Sequence, residues 1–287
     1  MGDFQTAVAR SIADLRRHVA DWRAAGETVG LVPTMGALHA GHLELVRQAK
    51  AHCDRAVVSI FVNPTQFNPD DDLDRYPRQE EKDLKALSGE AADLAFIPVV
   101  DEIYPDGFST AVHVDKVTTG MEGTVRVGHF DGVATVVCKL YMQAMPDKAF
   151  FGEKDYQQLA TIKRMVRDLD MPLAIVPVET VREADGLAMS SRNAYLNAEQ
   201  RAIAASLNRI LRETAEAIVA GLDIGTATAA ARRELLEAGF DAVDYVECRA
   251  ADDLSVLETV DRPARLLSTA RLGPTRLLDN IAVLHRT

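Results

Sequence analysis

The chain has 287 residues, of which 47% are hydrophobic and 26% are charged, and this balance is ordinary for a folded globular protein and too apolar for a disordered one. Its length allows one large domain or two ordinary ones, and we favour two. The formal net charge of −11 argues against broad binding to nucleic acid or to an anionic membrane, because both need a surplus of Lys and Arg. A phosphate site must therefore be a local basic pocket.

Cysteine usage and hydropathy bear on the compartment. The chain has three cysteines, and no apolar leader follows Met1. No apolar run approaches the roughly 18 residues that a membrane span requires. A few cysteines without an evident pairing pattern are typical of a reducing compartment. We therefore predict a cytoplasmic protein with neither a membrane nor a nucleic-acid partner.

The beginning of the chain predicts an alternation of helices and strands. Apolar residues at helical spacing predict a helix over Thr6 to Ala25. A β-branched run from Thr28 to Val32 predicts a strand that Pro33 stops, and a second helix runs from Gly41 to about Ala51. Residues Arg55 to Val62 are almost continuously apolar, which is typical of a strand in a parallel sheet covered on both faces.

The turn between the first strand and the second helix carries two histidines. Gly36 permits an unusual backbone angle, and His39 and His42 share one face of the helix because they are three residues apart. The free N–H groups and the positive dipole end of a helix attract phosphate oxygens at this position. The sequence therefore predicts a phosphate-binding turn with two imidazole donors.

Two other interpretations of this histidine pair remain open. Either histidine taken alone can be a helix cap or a surface residue. The pair can also bind zinc, but a zinc site needs three or four ligands. The nearest further candidates, His52 and Cys53, lie at the far end of the predicted helix.

Polar residues follow the second strand. Asn63 and Gln66 lie beyond its carboxyl end, where an α/β sheet binds ligands. The alternative is a turn that only reverses the chain at Asn63-Pro64. The acidic residues that come next predict a solvated loop and not a metal site; they are Asp70, Asp71, Asp72 and Asp74.

The middle of the chain continues the β-α-β alternation. It predicts helices over 79–87 and 133–145, strands over 94–99 and 148–151, and an irregular or strand-like segment over 109–117. A glycine-bearing loop over 121–132 holds Arg126 and His129, and an ordinary solvated turn is the alternative interpretation of that loop.

The next strand-to-helix turn carries a lysine. Lys154 follows the strand ending at Phe151, where its ammonium group can reach a phosphate. Asp155 and Gln158 match the spacing of a helix capping box, and this is the structural alternative for both residues. The following helix ends near Leu169.

The last third of the chain has a different composition. After a strand over 174–178 comes a polar loop over 181–193, in which Met189-Ser190-Ser191-Arg192 combines two hydroxyls with a guanidinium suited to charged oxygens. Ala-rich helices follow over 201–221 and 226–238, with strands over 243–246, 265–270 and 281–284. The fold class is therefore α/β, with a doubly wound, Rossmann-like parallel sheet in residues 1–180. Residues 181–287 form a smaller α+β domain, predicted to act as a lid.

Three separate elements suited to a polyanion favour a nucleoside triphosphate as ligand. The His-Ala-Gly-His and Met-Ser-Ser-Arg segments resemble the signature motifs of the nucleotidylyltransferase superfamily and of class I aminoacyl-tRNA synthetases. Four longer segments resemble the pantothenate synthetase family: Pro33-Thr-Met-Gly-Ala-Leu-His-Ala-Gly-His42, Phe61-Val-Asn-Pro-Thr-Gln-Phe67, Phe151-Gly-Glu-Lys-Asp-Tyr-Gln-Gln158 and Asp185-Gly-Leu-Ala-Met-Ser-Ser-Arg-Asn193. One departure is Val127, where that family commonly has proline.

The resemblance implies an ATP-dependent ligase of the coenzyme A pathway that condenses (R)-pantoate with β-alanine through an enzyme-bound pantoyl adenylate. It also implies Mg²⁺ and a homodimer, and no protein residue is assigned to a metal. By matching position, the implied ATP-binding residues are Met35, Gly36, Ala37, Leu38, His39, Ala40, Gly41, His42, Gly152, Glu153, Lys154, Asp155, Val181, Met189, Ser190, Ser191 and Arg192. The implied catalytic residues are His42, as proton donor, with His39 and Lys154. Gln66 and Gln158 are implied to bind pantoate, and Gln66 also β-alanine.

Two other function classes share some of these features. A transferase that stops after joining a nucleotide to a phosphorylated substrate needs a second cationic cluster in place of Gln66 and Gln158. A noncatalytic nucleotide-binding regulator binds ATP without releasing pyrophosphate. A tRNA synthetase is disfavoured by the acidic charge and the short chain.

Overall fold

The structure, a computed structural model, describes residues 6–68 and 73–284. Its contacts divide the chain into two compact units. The first comprises residues 1–114, 126–153 and 161–179, and the second comprises residues 115–125, 154–160 and 180–287.

Within the described ranges, no helix has the length and apolar character that crossing a membrane requires. The boundary at residues 180 and 181 and the lid role stay predictions, as does the solvated loop at Asp70 to Asp72, which lies outside the described residues.

The first unit contains a six-stranded parallel sheet. Its strands are β1 (Ala7–Ala9), β2 (Val29–Thr34), β3 (Arg55–Ile60), β4 (Leu94–Phe96), β5 (Lys148–Gly152) and β6 (Ala174–Val178). Their order across the sheet is β1-β4-β3-β2-β5-β6, and every pairing is parallel. The connections run in opposite directions from the centre, so β2 and β5 adjoin at the topological switch point, where α/β sheets bind ligands. The predicted doubly wound fold is confirmed.

Helices α1 (Ile12–Ala24), α2 (Ala40–His52), α3 (Glu80–Gly89), α4 (Val100–Ile103) and α6 (His129–Ala144) belong to this unit, and α7 (Tyr156–Asp168) begins in the second unit and ends in the first. Apolar side chains of α2, α3 and the central strands form one buried cluster, which includes Val32, Val46, Val58, Leu87 and Phe150. Leu38, in the turn that follows β2, packs against this cluster. The strand-to-helix turn is therefore anchored to the core of the first unit.

Several predicted boundaries are wrong. Residues 7–9 form strand β1 and not the start of a helix, because Ser11 caps α1 by accepting from the Asp14 N–H. Strand β2 continues through Pro33, which needs no N–H there because β2 pairs with β5 only at Gly30 and Leu31. The segment over 121–132 contains the short helix α5 (Met121–Val125) and the start of α6, and is not a continuous loop.

The second unit has an antiparallel sheet in the order β7-β8-β9, formed by Ala242–Ala250, Ala264–Leu272 and Thr275–Val283. Helices α8 (Ala198–Ala204), α9 (Ser206–Val219) and α10 (Ile224–Glu237) contribute to its core, which includes Leu207, Ile210, Leu235 and Leu266. Strand β9 is longer than predicted. A two-residue turn with Gly273 at φ +57° joins it to β8, and the buried polar Asp279 and Asn280 interrupt its apolar pattern.

Candidate active site

The turn after β2 is held in an unusual backbone conformation. Thr34 Oγ1 accepts from the Gly36 N–H at 3.1 Å and donates to the Ser59 carbonyl at 2.7 Å. Gly36 has φ +80°, and a Cβ added there would come within 3.0 Å of Ile60. The turn therefore requires glycine for its dihedral angle, as the sequence predicts, and also for its close packing, which the sequence does not show.

A buried carboxylate lies behind this turn. Asp83 of α3 is 1% exposed, and its two oxygens accept from the N–H groups of Ala37 at 2.9 Å and Leu38 at 2.8 Å. Burial raises the pKa of Asp83, and the two backbone N–H groups act in the opposite direction. The N–H groups of Ala37 and Leu38 are therefore used within the fold to hold the turn against Asp83.

Sequence reasoning missed Asp83, although a signal was present. Asp83 precedes Leu87 by one helical turn, so the helical spacing places both on one face of α3, and both are buried. A carboxylate on the apolar face of a helix needs donors from elsewhere in the fold. The strand-to-helix turn supplies them.

We expect Asp83→Ala to loosen this turn. The change leaves two buried N–H groups without an acceptor, and each costs about 1–3 kcal/mol of the free energy of unfolding. The KM for ATP should rise as well, since the loosened turn carries His39. Denaturant unfolding and initial-rate kinetics measure the two effects. Glu81→Ala, an exposed site on the same helix, is the matched control, and equal behaviour of the two variants would refute the role of Asp83.

His39 and His42 form a reciprocal cap at the start of α2. His39 Nδ1 accepts from the Gly41 N–H at 3.1 Å, and His42 Nδ1 accepts from the His39 N–H at 3.4 Å. The two ring centroids are 4.1 Å apart. A neutral imidazole whose Nδ1 accepts carries its proton on Nε2. The capping interpretation is thus correct, and it leaves each Nε2–H as the donor of its ring.

Gln66 is oriented by a buried asparagine. Asn63 is 1% exposed, and its Nδ2 donates to Gln66 Oε1 at 3.0 Å and to the Gly132 carbonyl at 3.1 Å. Asn63 Oδ1 in turn accepts from the Tyr104 hydroxyl at 2.9 Å. With Oε1 occupied, the amide nitrogen of Gln66 lies 3.0 Å from Met35 Sδ. The predicted pantoate residue therefore adjoins the predicted nucleotide turn.

The backbone of Gln66 is fixed by the residues that precede α6. Its carbonyl accepts from Arg126 Nη2 at 3.1 Å and lies 2.8 Å from His129 Nδ1. Arg126 Nη1 lies 3.1 Å from His129 Nε2, so the two side chains also contact each other. Val127, which lies between them in sequence, is 78% exposed. The hydrogen bonds of Arg126 and His129 therefore hold this segment against the backbone of Gln66.

Other predicted nucleotide residues lie in the second unit. Lys154 follows β5 in a 3₁₀ turn, with its Nζ 3.6 Å from Asp155 Oδ1. The loop over 181–192 closes through a bridge between Arg182 and Ala188, and Ser190 Oγ accepts from the Arg192 N–H at 3.3 Å. Within the described ranges 6–68 and 73–284, no three His, Cys, Asp or Glu side chains cluster as a metal site would require.

The chain is similar to known proteins over nearly its whole length. A family model described as pantoate-beta-alanine ligase matches residues 7–282. A pantothenate synthetase of Paramagnetospirillum magneticum is 57% identical over 276 residues, which cover 96% of this chain and 97% of that protein. A pantothenate synthetase structure from Thermus thermophilus has a TM-score of 0.90 at 45% identity, and the match covers 97% of this chain and 99% of that one.

A further structure is that of pantoate-beta-alanine ligase from Francisella tularensis, complexed with beta-gamma ATP and beta-alanine. It has a TM-score of 0.81 at 32% identity, and the match covers 96% of this chain and 97% of that chain. The similarity therefore extends over both units, and the predicted fold class and ligase activity are confirmed. The chain belongs to the pantoate-beta-alanine ligase family.

Proposed function

We propose that this protein condenses (R)-pantoate with β-alanine at the expense of ATP, and that Gln66 and the His39–His42 cap hold the reacting groups. The observation that supports this assignment is the 3.0 Å approach of Gln66 Nε2 to Met35 Sδ, because Gln66 is the proposed pantoate ligand and Met35 belongs to the proposed nucleotide turn. The same side chain is proposed to contact β-alanine.

The first half-reaction is proposed as attack of the pantoate carboxylate on the α-phosphorus of ATP. A bond forms from the carboxylate oxygen to phosphorus, and pyrophosphate leaves with the bonding pair. Both reactants are anions, so donors and cations must offset their repulsion and stabilise the developing charge. The Nε2–H groups of His39 and His42 supply preorganised donors, and Lys154 and Arg192 supply cations.

In the second half-reaction the amine of β-alanine attacks the acyl carbon of the adenylate. A carbon–nitrogen bond forms, AMP leaves, and the amine gives up a proton. An amide side chain such as Gln66 suits the acid and the amine alike, since it offers both a donor and an acceptor without net charge.

Magnesium is proposed to arrive with ATP. Mg²⁺ is usually held by substrate phosphates and by one or two carboxylates, and it keeps several waters. A homodimer is proposed from the family resemblance, and a cytoplasmic location from the cysteine usage and hydropathy of the sequence.

We expect Gln66→Ala to raise the KM for pantoate far more than the KM for ATP, because its amide is proposed to bind the acid and not the nucleotide. Gln158→Ala is expected to act in the same way. Steady-state kinetics with each substrate varied in turn measures both. If either change raised the KM for ATP and left the KM for pantoate unchanged, that residue would be assigned to the wrong ligand. A capping role for Gln158 predicts lower thermal stability with little kinetic effect.

The proposed lid role gives a separate expectation for Arg192→Ala. Loss of the guanidinium should slow adenylate formation, and it should also expose the adenylate to water. The measurement is AMP formed per pantothenate formed at limiting β-alanine. An unchanged ratio, together with slower adenylate formation, would leave Arg192 as an ATP contact and would rule out the lid.

A further inference from the structure

Two successive polar residues lie in the middle of β9, an edge strand of the antiparallel sheet. Asp279 and Asn280 are each 3% exposed, although polar residues this deeply buried need partners. Successive side chains of a strand point to opposite faces of the sheet. The two residues therefore bind different segments of the second unit, one on each face.

Asp279 holds the loop over 181–192. Its carboxylate receives two parallel bonds from Arg182, at 2.7 Å and 2.8 Å, and a third from Asn208 Nδ2 at 3.1 Å. Arg182 Nη1 also donates to the Gly186 carbonyl at 3.0 Å, across the turn of that loop. The planar guanidinium thus joins both arms of the loop to β9.

Asn280 holds the turn that carries Lys154. Its Nδ2 donates to the Lys154 carbonyl at 2.9 Å, and its Oδ1 accepts from Arg265 Nη1 at 3.1 Å. Arg265 in turn lies over the ring of Tyr156, 4.2 Å from its centroid. The amide of Asn280 is therefore fixed on one side by Arg265 and fixes the backbone of Lys154 on the other.

From these contacts we propose that Asp279 and Asn280 are positioning residues. Asp279 fixes the 181–192 loop against β9, and Asn280 fixes the Lys154 turn against the same strand. The inference rests on the proposed function, because both segments are assigned there to ATP. Neither side chain needs to contact substrate. Each acts through a segment whose placement sets the direction of a cation, Lys154 or Arg192.

Asn280→Asp is the most informative change. It keeps the shape of the side chain and offers Arg265 a carboxylate oxygen, so Arg265 retains its hydrogen-bond acceptor. It also replaces the donor to the Lys154 carbonyl with an acceptor, and two acceptor oxygens repel each other at this distance. We expect the turn to shift while the fold persists.

The assay is pantoate-dependent exchange of labelled pyrophosphate into ATP, run with full-length protein well below its Tm. We expect Asn280→Asp to lower kcat/KM for ATP by at least about fivefold, the scale of one lost buried hydrogen bond. Ser268→Ala is the control, because Ser268 is a buried polar residue of the neighbouring strand β8 and donates to the Tyr245 carbonyl of β7. Its kcat/KM for ATP should be unchanged.

A double-mutant cycle separates positioning from general destabilisation. If Asn280 acts through Lys154, the effect of Asn280→Asp should largely vanish in a Lys154→Ala background. Additive effects, or a normal kcat/KM for Asn280→Asp, would overturn the inference. Should Asn280→Asp fail to fold, Asn280→Ala takes its place in the cycle. Loss of its effect in the Lys154→Ala background would support the inference, and additive effects would overturn it.

The same cycle keeps the inference distinct from the proposed function. Normal exchange by Lys154→Ala alone would reject the assignment of Lys154 to ATP, whatever Asn280 does. Slow exchange by Lys154→Ala with normal exchange by Asn280→Asp would reject only the positioning role.

Discussion

His42→Ala should slow formation of pantoyl adenylate by about 10²–10³-fold, the usual cost of removing one preorganised donor from a developing anion. In this structure His42 Nδ1 accepts from the His39 N–H, so a neutral His42 ring carries its proton on Nε2, and Nε2–H is the proposed donor to the phosphates. Loss of the ring also removes half of the cap at the start of α2. Pyrophosphate exchange measures the rate, and thermal unfolding measures the cap.

Two further variants separate the cap from the donor. Glutamine and glutamate at the third helical position both reach back to the N-cap N–H, so His42→Gln and His42→Glu each retain the cap. Only glutamine also offers an N–H to a phosphate. We expect His42→Gln to exchange pyrophosphate faster than His42→Ala, and His42→Glu to exchange no faster. Exchange by His42→Ala at near the parental rate would refute the role of His42.

Gly132→Ala should both destabilise the first unit and weaken its use of pantoate. A Cβ at Gly132 would overlap the Thr65 carbonyl and come within 2.8 Å of the Gln66 N, so α6 or the turn at Gln66 must move. Overpacking of this kind typically costs about 1–3 kcal/mol. Because the displaced backbone carries Gln66, the KM for pantoate should rise in the folded fraction.

Gly89→Ala is the matched control for this substitution. Gly89 is the last residue of α3, and nothing lies within 4 Å of a Cβ added there. Alanine has the higher helix propensity, so this variant should be neutral or more stable by up to about 1 kcal/mol. If Gly132→Ala were as stable as the parent and had an unchanged pantoate KM, the close packing of α6 on the Gln66 turn would not matter.

The alternating pattern of the sequence was sufficient to predict the parallel sheet, because β3 and β5 are mostly apolar and are followed by polar turns. The histidine turn was also predictable, since Gly36 and the spacing of His39 and His42 are local features. The end of β2 was not predictable, because Pro33 stops a strand only where a neighbouring strand needs its N–H as a donor. Such pairing is set by the whole sheet.

Long-range polar contacts explain most of what the sequence did not reveal. Asp83 reaches the turn at Ala37 from 46 residues away in sequence, as its hydrogen bond shows. Tyr104 reaches Asn63 across 41 residues, and Asp279 reaches Arg182 across 97. Each partner is an ordinary polar residue in its own segment, so only the fold shows that it supports a segment proposed to bind substrate.

Pantoate-dependent exchange of labelled pyrophosphate into ATP, in the absence of β-alanine, tests the proposed mechanism most directly, because it reports the first half-reaction alone. We expect exchange that is abolished when pantoate is omitted and that falls by about 10²–10³-fold in His42→Ala. Pantothenate synthesis without any pantoate-dependent exchange, with pyrophosphate shown to be free to rebind, would contradict an adenylate intermediate formed before β-alanine binds.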